Sequence, residues 1–80
     1  MNIIVLKTAQ KYIDSQPLKQ RIRLIQAISR LPEGDIMPLY GKEGLFRLRV
    51  GDHRATFSID YKGNTVTVRT AGPRGDIYKG

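Results

Sequence analysis

The sequence predicts an α+β fold, with two N-terminal helices packed on one face of a small antiparallel sheet in the order β-α-α-β-β-β. Three observations carry this expectation. From Leu45 to Ala71 the chain alternates apolar and polar residues with the period of two that a half-buried strand shows, interrupted by two Gly-containing turns. From Thr8 to Leu31 the apolar residues instead recur at helical spacing, divided by Pro17. Finally, the 80 residues make one small domain, residues 1–80. A chain of that size buries only about 60% of its unfolded surface, so the helices have to cover the single apolar face that the strands offer.

Each element follows in order. Ile3, Ile4, Val5 and Leu6 form a short β-branched run, expected as a strand in the same sheet, at its edge or beside the meander. Ala9, Tyr12 and Ile13 define a first helix over about 8–15, with Thr8 as its N-cap candidate. Pro17 suits the first turn of a second helix, capped by Ser15 and ended by Pro32 and Gly34. Its buried stripe is expected along Leu18, Ile22, Ile25 and Ile28, with Leu24 and Leu31 beside it. Lys19, Arg21, Arg23 and Arg30 then take the solvated side. Ile36, Met37, Leu39 and Tyr40 offer a short edge strand, where Pro38 is tolerated. Phe46, Leu48 and Val50 face inward on the next strand, followed by a tight turn at Gly51–His53. Ala55, Phe57 and Ile59 face inward on the strand after it, and Val66 and Val68 on the last, beyond a turn at Lys62–Asn64.

The composition limits the possible functions. With no Cys there is no disulfide and no thiolate ligand, and one His is too few for a histidine metal site. No metal or other cofactor is therefore expected. No apolar run approaches the ~18 residues of a membrane span, so no membrane partner is expected. The N-terminal stretch lacks the basic-then-apolar pattern of a secretion signal, and the expected location is the cytoplasm. Fourteen Lys and Arg against seven Asp and Glu give a net charge of +7, whose natural partners are polyanions.

Alternation determines where part of that charge sits. Arg47 and Arg49 stand two apart on one strand and leave the sheet on the same face. Arg54 opens the next strand across the turn, and Arg69 has the same parity on the last one. Gathered guanidinium groups repel one another, so an anionic partner accounts for them more simply than stability does. The competing arrangement spaces these arginines apart, each paired with Asp52, Asp60 or a backbone carbonyl.

The run LFRLRVGDHRATFSID, over 45–60, followed by a strand and then GPRGDIYK, resembles the RelE/ParE superfamily of bacterial toxins. The order of helices and meander is similar as well, so the resemblance covers nearly the whole chain. It implies the toxin of a type II toxin–antitoxin system: a ribosome-dependent, metal-independent mRNA endoribonuclease whose action arrests growth. By position, the resemblance assigns catalytic roles to Arg47, Arg49, Arg54, Arg74 and Tyr78. Arg69 has no clear counterpart in the family and, with Lys19, Arg21 and Arg23, is expected to contact RNA or the ribosome. The implied partners are the ribosome, mRNA and a cognate antitoxin with an acidic, partly disordered segment.

The sequence departs from the family pattern at the acid/base positions. Arg47 and Arg49 stand where RelE-type members carry lysines, and arginine is a poor general base. A related branch uses a Glu and a late His, near whose places this chain has Met37 and Tyr78. His53 is the one imidazole available as an acid/base group, although a residue at that place is more often only part of the turn. Two other functions remain open: a ParE-like inhibitor of DNA gyrase, and an inactive family member acting only as a binding module.

Overall fold

The computed structural model describes residues 1–73. The late Arg74 and Tyr78 therefore lie outside the described residues. The elements are β1 (Asn2–Val5), α1 (Lys7–Ser15), α2 (Leu18–Ser29), β2 (Ile36–Pro38), β3 (Leu45–Val50), β4 (His53–Asp60) and β5 (Thr65–Pro73). The expected α+β architecture is present, and the 36–40 segment supplies a strand of its own. The sheet has five strands in the order β1-β5-β4-β3-β2. β1 runs parallel to β5, and all other neighbours are antiparallel.

Both helices lie on one face of this sheet, α1 over β5 and α2 over β3. Phe57, Ile13, Leu24, Leu48, Val66 and Val68 are fully buried between the layers. Phe46 stacks on Phe57 with ring centroids 5.5 Å apart, joining β3 to β4 within the core.

The helix termini differ from the expectation. Neither helix has a side-chain N-cap, because Leu6 and Pro17 occupy the N-cap positions. Ser15 does not cap α2. Its Oγ donates to the Tyr12 carbonyl at 2.6 Å and so closes the end of α1.

The buried stripe of α2 also differs. Leu24, Ile28 and Leu31 point into the core, whereas Leu18, Ile22 and Ile25 are 63%, 46% and 50% exposed. The helix carries two apolar rows, and at 3.6 residues per turn they lie on different sides of it. A sheet packed against one side can bury only one row.

The strand alternation holds, with one break. Phe57 pairs with Val68 and Thr56 with Thr70, leaving Arg69 unpaired as a bulge in β5. The extra residue reverses parity, so Val66 and Val68 before it and Ala71 after it all serve the core. The β3–β4 loop is only Gly51–Asp52, since His53 already pairs with Val50. Gly51 has φ +60, the positive value that the first position of a type II′ hairpin turn requires.

Candidate nucleic-acid interface

Paired residues on neighbouring strands share a face, so the register defines the polar surface opposite the helices. One row reads Met37, Arg47, Thr56, Thr70, and the next reads Arg49, Arg54, Gly72. Arg49 and Arg54 are direct cross-strand partners, and Arg47 lies one row away on the same face. Two like charges placed directly opposite each other destabilise a sheet. Arg69, at the bulge in β5, is exposed.

The geometry shows how this crowding is tolerated. Asp35, in the loop before β2, accepts from Arg49 Nε at 2.5 Å and lies 3.7 Å from Arg47 Nη2. Arg54 turns back onto its own hairpin, and its Nη1 donates to the carbonyls of Gly51 and His53, both at 2.9 Å. Arg47 is held along most of its length, with 13% side-chain exposure against 53% for Arg49. Thr56 and Thr70 join across the strands between them, Oγ1 to Oγ1 at 2.5 Å. The result is a net positive surface on which two guanidinium groups are held by one carboxylate and a third by backbone carbonyls.

His53 does not join them. It stands on the core face, where 8% of it is exposed, and both ring nitrogens are engaged. Tyr12 Oη lies 2.6 Å from Nδ1, and Gln20 Oε1 lies 3.0 Å from Nε2. The amide oxygen can only accept, so the proton sits on Nε2 and the Tyr12 hydroxyl donates to Nδ1. Burial pushes the Tyr12 phenol above its ordinary value of 10.0.

The basic residues of α2 lie on the helix layer, across the sheet from the arginine face. Lys19 and Arg23 are exposed there, while Arg21 is half-buried. Arg21 Nη2 donates to the Gln16 carbonyl at 3.3 Å, and its Nε is buried without a partner. Only Arg23 reaches toward the β3–β4 turn, where it packs against Gly51. Of the residues expected to form the site, the structure thus brings Arg47, Arg49 and Arg54 to one sheet face, while Arg69 is the unpaired residue of β5. Asp35 is the participant that sequence reasoning missed, since nothing in its polar loop indicates a partner fourteen residues later. Among the described residues no group of His, Cys, Asp and Glu could hold a metal ion, and no helix is long and apolar enough to cross a membrane.

This architecture, with two helices on one face of a five-stranded, mostly antiparallel sheet, is the RelE-like fold. A chain of the archaeal RelE–RelB complex from Pyrococcus horikoshii superposes with a TM-score of 0.76 at 23% identity, covering 94% of this chain and 96% of that one. A RelBE toxin–antitoxin complex from Mycobacterium tuberculosis gives 0.76 at 24% identity, over 91% and 96% of the two chains. The YoeB/ParE toxin from Agrobacterium tumefaciens gives 0.71 at 18% identity, over 92% and 99%. No protein-family profile matches the sequence, and no curated protein matches it.

Proposed function

We propose that this chain is the toxin of a type II toxin–antitoxin pair and acts in the cytoplasm as a ribosome-dependent mRNA endoribonuclease. The observation that carries the reading is the set Arg47, Arg49 and Arg54 on one sheet face, backed by a fold shared with RelE toxins. RNA can supply its own nucleophile. Its 2′-hydroxyl attacks the adjacent phosphorus in line, giving a 2′,3′-cyclic phosphate and a 5′-hydroxyl leaving group. Negative charge builds on the phosphorane oxygens, and fixed guanidinium donors hold it more tightly there than in the ground state. Arg74 and Tyr78 complete the proposed site. Tyr78 stacks on a base or orients the hydroxyl.

The antitoxin is the proposed inhibitor, an acidic segment that folds on binding and neutralises the basic surface. The exposed Leu18–Ile22–Ile25 row beside Lys19 and Arg23 suits such a segment, because apolar and cationic groups alternate along it.

Induced expression is expected to arrest growth and to produce cuts in ribosome-bound messages, mapped by toeprinting. Replacing Arg54 by Ala removes one phosphorane donor and is expected to lower cleavage by about a hundredfold to a thousandfold with the fold intact. Arrested growth with intact messages would refute the cleavage reading. Gyrase-dependent DNA damage in its place would select the ParE-like reading. Absence of any growth effect at good soluble expression would select an inactive binding module, a reading favoured by the withdrawal of His53 into the core.

A further inference from the structure

A pocket of about 270 Å³ opens at the sheet edge between the C-terminal half of α2 and the β3–β4 turn. It exists because β2 is short. Ile36 pairs with Leu48 and the Arg49 N–H still donates to the Asp35 carbonyl at 3.0 Å, but Val50 runs on past the end of this pairing. Arg23 and Arg30 line the α2 wall, seven residues apart and so about two turns along one side of the helix. Arg49 lines the sheet wall, and Ala27, Leu48 and Val50 form an apolar floor. Glu33 and Asp35 also border the pocket. Asp35 is already shared between Arg49 and Arg47. Arg23 and Arg30 make no salt bridge among the described residues.

The Arg23 guanidinium is seated against the hairpin turn. A Cβ added at Gly51 would lie 3.0 Å from its Nη1 and 3.3 Å from its Cζ. Gly51 also supplies one of the carbonyls that hold Arg54, and Arg49 belongs to both the pocket and the sheet face. Pocket and face are therefore adjacent and share a wall. Three guanidinium groups against two carboxylates leave the lining net positive, and the planar forks of Arg23 and Arg30 match phosphate oxygens in pairs.

We propose that this pocket is a second phosphodiester subsite. It takes the phosphate of a nucleotide flanking the one bound at Arg47, Arg49 and Arg54, with Arg23 and Arg30 as donors. The floor of Ala27, Leu48 and Val50 receives the sugar or base. The proposal rests on the reading of this chain as an RNA binder, but not on its being a nuclease.

The test is the affinity of the full chain for a short single-stranded RNA made uncleavable by 2′-O-methyl groups, read by fluorescence anisotropy over a range of salt. Arg23→Ala and Arg30→Ala are each expected to weaken binding roughly tenfold. Each is also expected to flatten the slope of log affinity against log salt by about 0.7, the value for one phosphate of a single strand. Arg23→Lys keeps the charge and the slope but loses affinity, because an ammonium lacks the fork. Lys62→Ala, on the β4–β5 turn, is expected to leave the affinity unchanged. Inorganic phosphate is expected to perturb the side-chain NMR signals of Arg23 and Arg30, and the RNA to displace it. Wild-type affinity and slope in both alanine variants would overturn the proposal, as would phosphate that the RNA cannot displace. A chain that binds RNA through Arg23 and Arg30 yet never cuts a message keeps the subsite while refuting the nuclease reading.

Discussion

Arg54 depends on a hairpin turn that is anchored from behind. His53, the first residue of β4, is tied to α1 through Tyr12 and to α2 through Gln20, and its carbonyl holds the Arg54 guanidinium. Removing the Tyr12 hydroxyl leaves His53 Nδ1 buried without a donor, at a cost of about 1–3 kcal/mol. Tyr12→Phe should therefore melt several degrees or more below the wild type, since 1 kcal/mol shifts a domain of this size by about 4–8 °C. The burial of the same phenol produces a pH dependence. Burial raises the Tyr12 phenol above 10.0, so in alkaline solution the unfolded chain loses this proton before the folded one does. In that window the native state binds more protons, and stability falls as pH rises above the unfolded value. Melting curves from about pH 9 to about pH 11 should fall more steeply for the wild type than for Tyr12→Phe, whose residue 12 has no proton to lose.

At the scale of elements, α2 shows what periodicity reveals and what it leaves open. The spacing of Leu18, Ile22, Ile25 and Ile28 establishes a helix, and the helix is there. Spacing alone does not choose between that row and the one through Leu24, Ile28 and Leu31, because the choice depends on which side of α2 meets the sheet. The strands were more legible, since Leu45–Asp60 has one apolar and one polar face and a two-residue loop holds the register. The bulge at Arg69 was hidden because a run of Thr, Val and Arg reads equally well with or without an unpaired residue. The two rows of α2 predict opposite outcomes for similar changes. Leu24→Ala empties a fully buried position and should cost about 2–5 kcal/mol in urea unfolding. Ile22→Ser, at a half-exposed position, should stay within about 0.5 kcal/mol of the wild type. The opposite ranking would mean that α2 turns its other side to the core.

For the whole molecule, the sheet separates two tasks. One face carries the helices and the core, and the other carries Arg47, Arg49 and Arg54, of which Arg49 is the most exposed. The arginine face was legible because alternation fixes the side from which Arg47, Arg49 and Arg54 emerge. Asp35 and the turned-back Arg54 were not, because loop and rotamer geometry place them. A net charge of +7 on so small a surface repels itself, and that repulsion lowers the stability of the compact state. Screening should therefore raise the melting temperature as salt is increased from low ionic strength, where the Debye length is about 30 Å, to physiological salt, where it is about 8 Å. A polyanion that engages the folded arginine face more tightly than the unfolded chain should do more. At a free concentration of 100 times its dissociation constant, such a ligand adds about 2.7 kcal/mol. For a domain of this size that is a rise of roughly 10–20 °C. Differential scanning fluorimetry with uncleavable single-stranded RNA at low salt measures this directly. The rise should shrink in Arg49→Ala and Arg54→Ala, which leave the core untouched, and should fade as salt is added. A rise of the same size in those variants would place the polyanion elsewhere on the protein.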